Sequence, residues 1–250
     1  MVERAEYKLV SMKQETPDTV SFVLSGPSIE HQAGQFVMLE YPGGDAEAKD
    51  PEKPIKRAYS IASGPKRGQW GFIELCVKEM PEGWISKLLQ NITLSSSFWL
   101  SGPFGRFVFD PEVHKDIVML AAGSGIAPFA SYLEEIRDRK LETKAKLIFS
   151  NKTEEDIIYR KWLDDLAHHC KNAEVHYTLT RYPKEDVEGE DVWLGKTGRI
   201  DQTMLKHLCG DDLADKDFFI CGPLVFVKAM QSILEELGVV KENIHFESYG

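Results

Sequence analysis

Cysteine is scarce in this chain and poorly spaced for chemistry. Of 250 residues four are cysteines, Cys76, Cys170, Cys209 and Cys221, and no two form a C-x-x-C pair. That spacing supports neither a zinc site nor a disulfide framework, and it excludes the four-cysteine patterns that hold an iron–sulfur cluster on one chain. Any metal redox centre is therefore expected on another protein, and no metal ligand is assigned here. Positive charge is also short: 30 Lys and Arg stand against 40 Asp and Glu, a formal net charge of −10. Nucleic acid is then a poor default partner, because phosphate binding needs a basic surface. No apolar run approaches the roughly 20 residues of a membrane-spanning helix, and the opening MVERAEYKLVSMKQE lacks the apolar core of a signal peptide. The expectation is a cytoplasmic protein without a membrane span. Internal repeats and low-complexity segments are missing as well.

What is present has two grammars. Hydrophobic residues make up 42% of the chain and charged residues 28%, enough apolar material at this length for one large or two modest cores. Up to about residue 110 the chain reads as short strands between turn signals: YKLVSM, TVSFVLSG, GQFVMLEY, RAYSIASG, WGFIELCVK and SSFWLSG. Six short strands rich in β-branched and aromatic residues predict an antiparallel Greek-key barrel. One helix, EGWISKLLQN, interrupts them, and residues 42–54 read as a long exposed loop. After residue 112 continuous apolar strands (DIVMLAA, AKLIFS, EVHYTLT, DFFICG) alternate with amphipathic segments (APFASYLEEIRDRK, EEDIIYRKWLDDLAHH, TMLKHLC, LVFVKAMQSILEELG). That pattern predicts a parallel sheet covered on both faces. The expected domains are residues 1–112, an antiparallel barrel, and 113–250, an α/β nucleotide-binding domain.

Four short stretches carry chemistry. In PIKRAYSIAS, strand alternation puts Arg57 and Tyr59 on one face and Ser60 on the other. A cation and a flat ring sharing a face suit a ligand with an anionic group and an aromatic plane. In LAAGSGIAPF, Gly123, Ser124 and Gly125 end an apolar strand, and Pro128 falls in the first turn of the next helix. Such a turn lets a pyrophosphate approach the amides of a helix start. In FFICGPLVFVKAM the arrangement repeats, with Cys221 at the carboxyl end of a strand, where open α/β sheets bind ligands; a buried free thiol behaving as a small hydrophobe fits the same place. In VKEMPEGWISKLL, Gly83 and Ser86 flank a helix start, a second place for an anion.

In this order the motifs R-x-Y-S (Arg57 to Ser60), G-x-x-S (Gly83 to Ser86), GPFG (102–105), GSGIAP (123–128) and CGP (221–223) resemble the ferredoxin–NADP reductase family of flavoproteins. The resemblance implies an FAD-dependent NAD(P)H oxidoreductase. It implies that Arg57 pairs with the FAD phosphates, that Ala58 and Tyr59 lie along the flavin, and that Ser60 reaches flavin N5. It further implies that Gly83, Trp84, Ile85 and Ser86 hold the pyrophosphate, with the backbone of Leu75, Cys76 and Val77 lining the ribityl and adenosine side. Gly123, Ser124, Gly125 and Pro128 would receive the nicotinamide nucleotide's phosphates, and Cys221, Gly222 and Pro223 would lie beside the nicotinamide. Ser124 stands where the family usually has Thr. Ser60, Cys221 and Glu247 are the residues given catalytic roles, and Phe246 and Tyr249 are candidates to cover the second flavin face.

Nucleotide choice is read from the second parallel strand. Its end reads FSNKTEED, with Asn151 and Lys152 where an NAD-selective site usually carries an acid. Lys152, Arg181 and Arg199 match basic positions of NADP-selective relatives, so NADPH is the expected donor. A separate acceptor, such as a ferredoxin, flavodoxin or iron–sulfur subunit, is expected to take the electrons. KDPEKPIKR with Lys66 and Arg67 offers such a partner a locally basic rim. Two other readings stay open: a diaphorase acting on free flavin, quinone or a small oxidant, and a non-catalytic subunit of a larger complex. His31, His114, His168 and His169 are read as surface or loop residues with no ligand pair among them.

Overall fold

A computed structural model of the protein describes residues 4–41, 54–79, 92–182 and 193–249. The expected helix across 82–91 and all but the last residue of the expected loop at 42–54 lie outside the described residues.

The first half forms β1 (Arg4–Thr16), β2 (Thr19–Ser25), β3 (Phe36–Tyr41), β4 (Ile55–Ser60), β5 (Phe72–Lys78) and β6 (Ser97–Phe104). They make one antiparallel sheet in the order β4-β3-β6-β1-β2-β5. A single bridge, Ile61 to Leu75, joins its two edges and closes the barrel. Side chains two apart along each strand build the interior: Val20, Phe22 and Leu24 of β2, Ile73, Leu75 and Val77 of β5, Val37 and Leu39 of β3, Phe98 and Leu100 of β6. Each such burial contributes about 1.5–3 kcal/mol. All six expected strands are present. A short helix that the sequence reading did not anticipate, α1 (Pro65–Gln69), starts on Pro65.

The second half forms a six-stranded parallel sheet, β10-β9-β8-β7-β11-β12. Its strands are β7 (Asp116–Ala122), β8 (Lys144–Asn151), β9 (Ala173–Leu179), the two-residue β10 (Lys196–Thr197), β11 (Asp217–Pro223) and β12 (Ile244–Tyr249). Ile117 to Ala121 are buried without alternation, as a strand covered on both faces requires. The helices are α2 (Ala127–Arg139), α3 (Arg160–His169), α4 (Gln202–Cys209) and α5 (Leu224–Glu236). Two elements differ from expectation. The segment read as one helix from 154 to 169 is a 3-10 turn at Glu154–Asp156, then buried Ile157 and Ile158, then Tyr159 at φ 60°, and only then α3. The tail read as HFESYG is strand β12, paired with β11 from Phe218↔Ile244 to Pro223↔Tyr249.

Compactness does not follow a single cut. One unit comprises Met1–Asp110 with Ala127–Lys140, the other Pro111–Ile126 with Leu141–Gly250. Helix α2 groups with the barrel for specific reasons. Ser131 Oγ donates to the Ser63 carbonyl at 2.8 Å, Tyr132 OH donates to the Phe107 carbonyl at 3.1 Å, and the Gly64 N–H donates to the Glu134 carboxylate. Phe107, Phe109, Phe129 and Tyr132 form one aromatic cluster with ring centroids 5.5–6.1 Å apart.

Glu134 is 7% exposed and also pairs with Arg137 at 3.1 Å and Arg67 at 3.9 Å. Removing its carboxylate leaves the buried Gly64 N–H without its acceptor, although Arg67 keeps Glu74 and Arg137 keeps Asp138. Glu134→Ala is expected to destabilise the protein by about 2–3 kcal/mol in urea unfolding, and an unchanged midpoint would show that the helix is held by its apolar contacts alone.

Candidate functional site

In the barrel unit, β4 and β5 are the two edges of the sheet and are laddered to each other only at Ile61↔Leu75. The chain on either side of that bridge carries Arg57, Ala58, Tyr59 and Ser60 on β4 and Leu75, Cys76 and Val77 on β5, residues assigned to one cofactor by the resemblance. Arg57 sits opposite Leu39 and Tyr59 opposite Val37 in the β3–β4 register, so the two share a face, as alternation requires. Arg57 and Ala58 are exposed, Tyr59 is half-buried and Ser60 is buried. Burial raises the Tyr59 phenol, and the nearby Arg57 guanidinium opposes that rise. The Cys76 thiol is pushed up to about 12, first by burial and then by Glu15 and Glu74. A cationic head beside a neutral phenol fits a phosphate and a flat ring on one ligand, which is the fit FAD requires. Gly83, Trp84, Ile85 and Ser86 lie outside the described residues.

Of the expected basic rim, Lys49 and Lys53 lie outside the described residues, and three described cations have partners. Lys56 meets Glu40 at 2.8 Å, Arg67 meets Glu74 at 2.7 Å, and Lys66 stands over the Trp70 ring at 5.3 Å. His31, read from sequence as a surface residue, is 8% exposed. Its Nε2 lies 3.2 Å from the Ser63 carbonyl, and desolvation lowers its pKa.

In the second unit the remaining candidates other than Pro128, which belongs to the barrel unit, follow the carboxyl-terminal edge of the parallel sheet. After β7 a 3-10 turn, Gly123–Ile126, leads into α2, with Pro128 buried in the helix's first turn. Gly123 has φ +54° and open space where a side chain would project. Gly125 has the opposite constraint, since a Cβ there would stand 2.1 Å from the Cys221 carbonyl oxygen. These two residues leave the backbone of the turn bare toward any ligand above the strand ends. Ser124 between them is half-exposed.

Cys221 pairs in register with Ala121 on β7 and Glu247 on β12, while Gly222 pairs with Ser248 and exposed Pro223 with Tyr249. The Cys221 thiol is fully buried, and burial raises its pKa; the Glu247 charge adds to the rise and a hydrogen bond from Tyr249 opposes it. The structure thus brings Cys221, Glu247 and Tyr249 together. Phe246, on the other face of β12, is 54% exposed.

At the end of β8, Asn151 is 5% exposed and neither its Oδ1 nor its Nδ2 has a hydrogen-bond partner. A buried amide left without bonds costs about 1–3 kcal/mol, and with both of its polar atoms covered this one does not face an open site. Sequence reading named Asn151 for its position but had no means of seeing the missing bonds. Lys152, Arg181 and Arg199 are all exposed. The first two are joined by the Arg181 N–H bond to the Lys152 carbonyl at 2.9 Å, and Gly198, next to Arg199, bonds to the Leu179 carbonyl at 2.9 Å. The three cations therefore follow the ends of adjacent strands.

Two family models match the chain one after the other. Residues 6–109 match the oxidoreductase FAD-binding domain and residues 119–232 the oxidoreductase NAD-binding domain. A NADH-cytochrome b5 reductase 1 of Mortierella alpina is 31% identical over 245 residues, 96% of this chain and 77% of that protein. The flavohemoprotein of Bacillus subtilis is 31% identical over 98% of this chain, which spans 60% of its length. The crystal structure of a ferredoxin NADP+ reductase from Neisseria gonorrhoeae with bound FAD and NADP superposes with a TM-score of 0.80 at 25% identity, covering 99% of both chains. The two matched domains and the fold mark the chain as an FAD- and NAD-dependent oxidoreductase. The chain belongs to the ferredoxin–NADP reductase-like family.

The thiols give a pH prediction. Cys76, Cys209 and Cys221 all stand above the ordinary 9.0 because burial disfavours the thiolate, Cys209 at about 11. For each, the folded pKa exceeds the unfolded one, so its contribution to stability is complete below about pH 9 and is lost as pH rises through the folded value. Unfolding midpoints are expected to fall above pH 9, and at pH 8 a thiol-specific disulfide reagent is expected to label Cys76 and Cys221 only as fast as the protein opens. Rapid labelling of either in the native state would contradict that burial.

Proposed function

We propose that the protein transfers electrons from a reduced nicotinamide nucleotide, through FAD, to a separate acceptor, with FAD carried by residues 1–112 and the nucleotide by 113–250. The observation that carries this reading is the turn after β7, whose Gly125 lies against the Cys221 carbonyl beneath an open, glycine-lined backbone. Bound together, the two cofactors supply hydride transfer from nicotinamide C4 to flavin N5 and one-electron release to the acceptor. The chain's own residues position and insulate. Arg57 would hold a phosphate by charge-assisted bonds, Tyr59 would offer its ring to the flavin, and Ser60 would lie near N5. Gly123, Ser124 and Gly125 admit a pyrophosphate to backbone N–H groups. Cys221, kept a neutral thiol by burial, would lie under the strand end that faces the nicotinamide without adding charge, with Glu247 beside it in register.

The line of Lys152, Arg181 and Arg199 supports NADPH, whose 2′-phosphate such cations clamp; the name of the Mortierella relative, an NADH-dependent reductase, favours NADH. Acceptor identity divides similarly. The Neisseria protein is named for ferredoxin and the Mortierella protein for cytochrome b5, so an iron–sulfur protein and a small haem protein are the two readings to be separated.

Anaerobic titration of the FAD-loaded protein is expected to bleach the flavin band at lower NADPH than NADH concentration. Bleaching by neither nucleotide would overturn the reductase reading. If a cation clamps the 2′-phosphate, Lys152→Ala and Arg199→Ala each raise KM for NADPH about tenfold or more, since a bond to a charged group contributes about 1.5–3 kcal/mol, and leave KM for NADH unchanged. Equal effects on both nucleotides would discard the clamp. Reduction rates of ferredoxin against cytochrome b5, each measured over a range of salt, then assign the acceptor.

A further inference from the structure

At the opposite, amino-terminal edge of the parallel sheet, three residues far apart in sequence converge. His114 precedes β7, Asp217 opens β11 and His245 is the second residue of β12. Their donor atoms all lie within 4.8 Å of one another, and His245 Nε2 is 3.2 Å from Asp217 Oδ1. The imidazole centroids of His114 and His245 are 5.4 Å apart. The sequence reading placed His114 on the surface and found no histidine ligand pair; it is half-buried and faces a second imidazole that the reading left unassigned.

The arrangement is imposed by the strands. Asp217 and Phe219 are two apart on β11 and share its face, and Phe219 pairs in register with His245. The Phe219 ring is 1% exposed, stacks on His245 at 4.5 Å and 22°, and meets His114 edge-on at 5.1 Å. Both imidazoles therefore rest on one fixed apolar platform, with the Asp217 carboxylate beside them. The two cations adjacent in sequence are engaged elsewhere: Lys216 pairs with Asp116 at 2.8 Å, and Lys115 donates to the Pro111 carbonyl at 2.6 Å.

We infer that His114, Asp217 and His245 form a binding site for a divalent first-row transition ion of the zinc class, completed by water. Zinc bonds to imidazole nitrogen and carboxylate oxygen are about 2.0–2.2 Å, which sets tetrahedral ligand atoms about 3.3 Å apart. The Asp217–His245 pair already has that spacing, and a small inward turn of His114 completes it. Two nitrogens and one oxygen select zinc, nickel, cobalt or copper over magnesium and calcium, which prefer oxygen alone. Asp217 and Cys221 are four residues apart on one strand, about 13 Å at roughly 3.3 Å per residue. The ion is therefore remote from the reacting atoms. Its effect is to fasten the start of β12, the strand that ends in Glu247 and Tyr249, to β11 and to the entry of β7.

The test uses the full chain, freed of metal by chelation, and Zn2+ itself as probe, titrated calorimetrically and against a chromophoric chelator. One Zn2+ per chain is expected at micromolar affinity, with a rise in Tm. His114→Ala and His245→Ala are expected to weaken binding at least about tenfold, a loss that removal of even a supporting residue causes, whereas a His168→Ala/His169→Ala double substitution leaves it intact. The near-isosteric Asp217→Asn guards against loss of folding and should also weaken binding. Zinc-edge anomalous scattering from crystals grown with Zn2+ should place the ion among these three side chains. Binding weaker than millimolar, affinity indifferent to His114→Ala and His245→Ala, or an anomalous peak elsewhere would reduce the cluster to a His–Asp hydrogen bond on an aromatic ring.

Discussion

Where Gly125 would carry a β-carbon, the carbonyl oxygen of Cys221 stands only 2.1 Å away. That approach is possible because β7 and β11 are hydrogen-bonded neighbours, Ala121 opposite Cys221. The chain leaving β7 has to pass directly over the end of β11 before α2 can begin. A side chain at 125 would lift the turn off the sheet, taking with it the bare backbone at Gly123 and the first turn of the helix. Gly123 answers a different demand, a left-handed φ of +54° with nothing facing it within 4 Å. The first glycine supplies closeness, the second conformation, and a ligand-accepting strand end needs both.

Much of this was legible in the residues, because hydrophobic period reports burial directly. The six barrel strands alternate or bury both faces as their sequences suggest, and DIVMLAA coincides with β7. Arg57 and Tyr59 share a face for the same geometric reason. Legibility failed where burial came from an unforeseen neighbour. IHFESY looks like a polar tail because only one of its six residues is fully buried, yet β11 gives it a complete ladder. Ile157, Ile158 and Tyr159 fit a helical period, and their burial between the 3-10 turn and α3 breaks that helix. His31 looked solvated until Gly68, with no side chain of its own, let it pack: a Cβ there would meet the imidazole at 2.6 Å. The unsatisfied amide of Asn151 has no sequence signature, since it is a property of what surrounds the residue.

The barrel has a seam. A sheet edge left without a partner strand exposes backbone donors and acceptors, a liability that proteins usually cover or charge. Here β4 and β5 meet at a single bridge, and the residues flanking that bridge are those which the family resemblance assigns to a flavin nucleotide. Among the described residues, backbone groups beside that bridge are left without the strand partners a continuous ladder would give them. The two units thus differ at these places, one having a short ladder and the other a turn stripped of side chains.

Helix α2 is made after β7 but packs with the barrel made before it. Phe107 and Phe109 find their aromatic partners Phe129 and Tyr132 only across that interval. On a ribosome releasing the chain from its amino end, the barrel cannot be finished when its sixth strand emerges. Its last aromatic face waits, wet and adhesive, until residues 127–140 arrive. Domains that close on themselves fold as they are synthesised; this one is committed to a delay, during which β7 is already in solution.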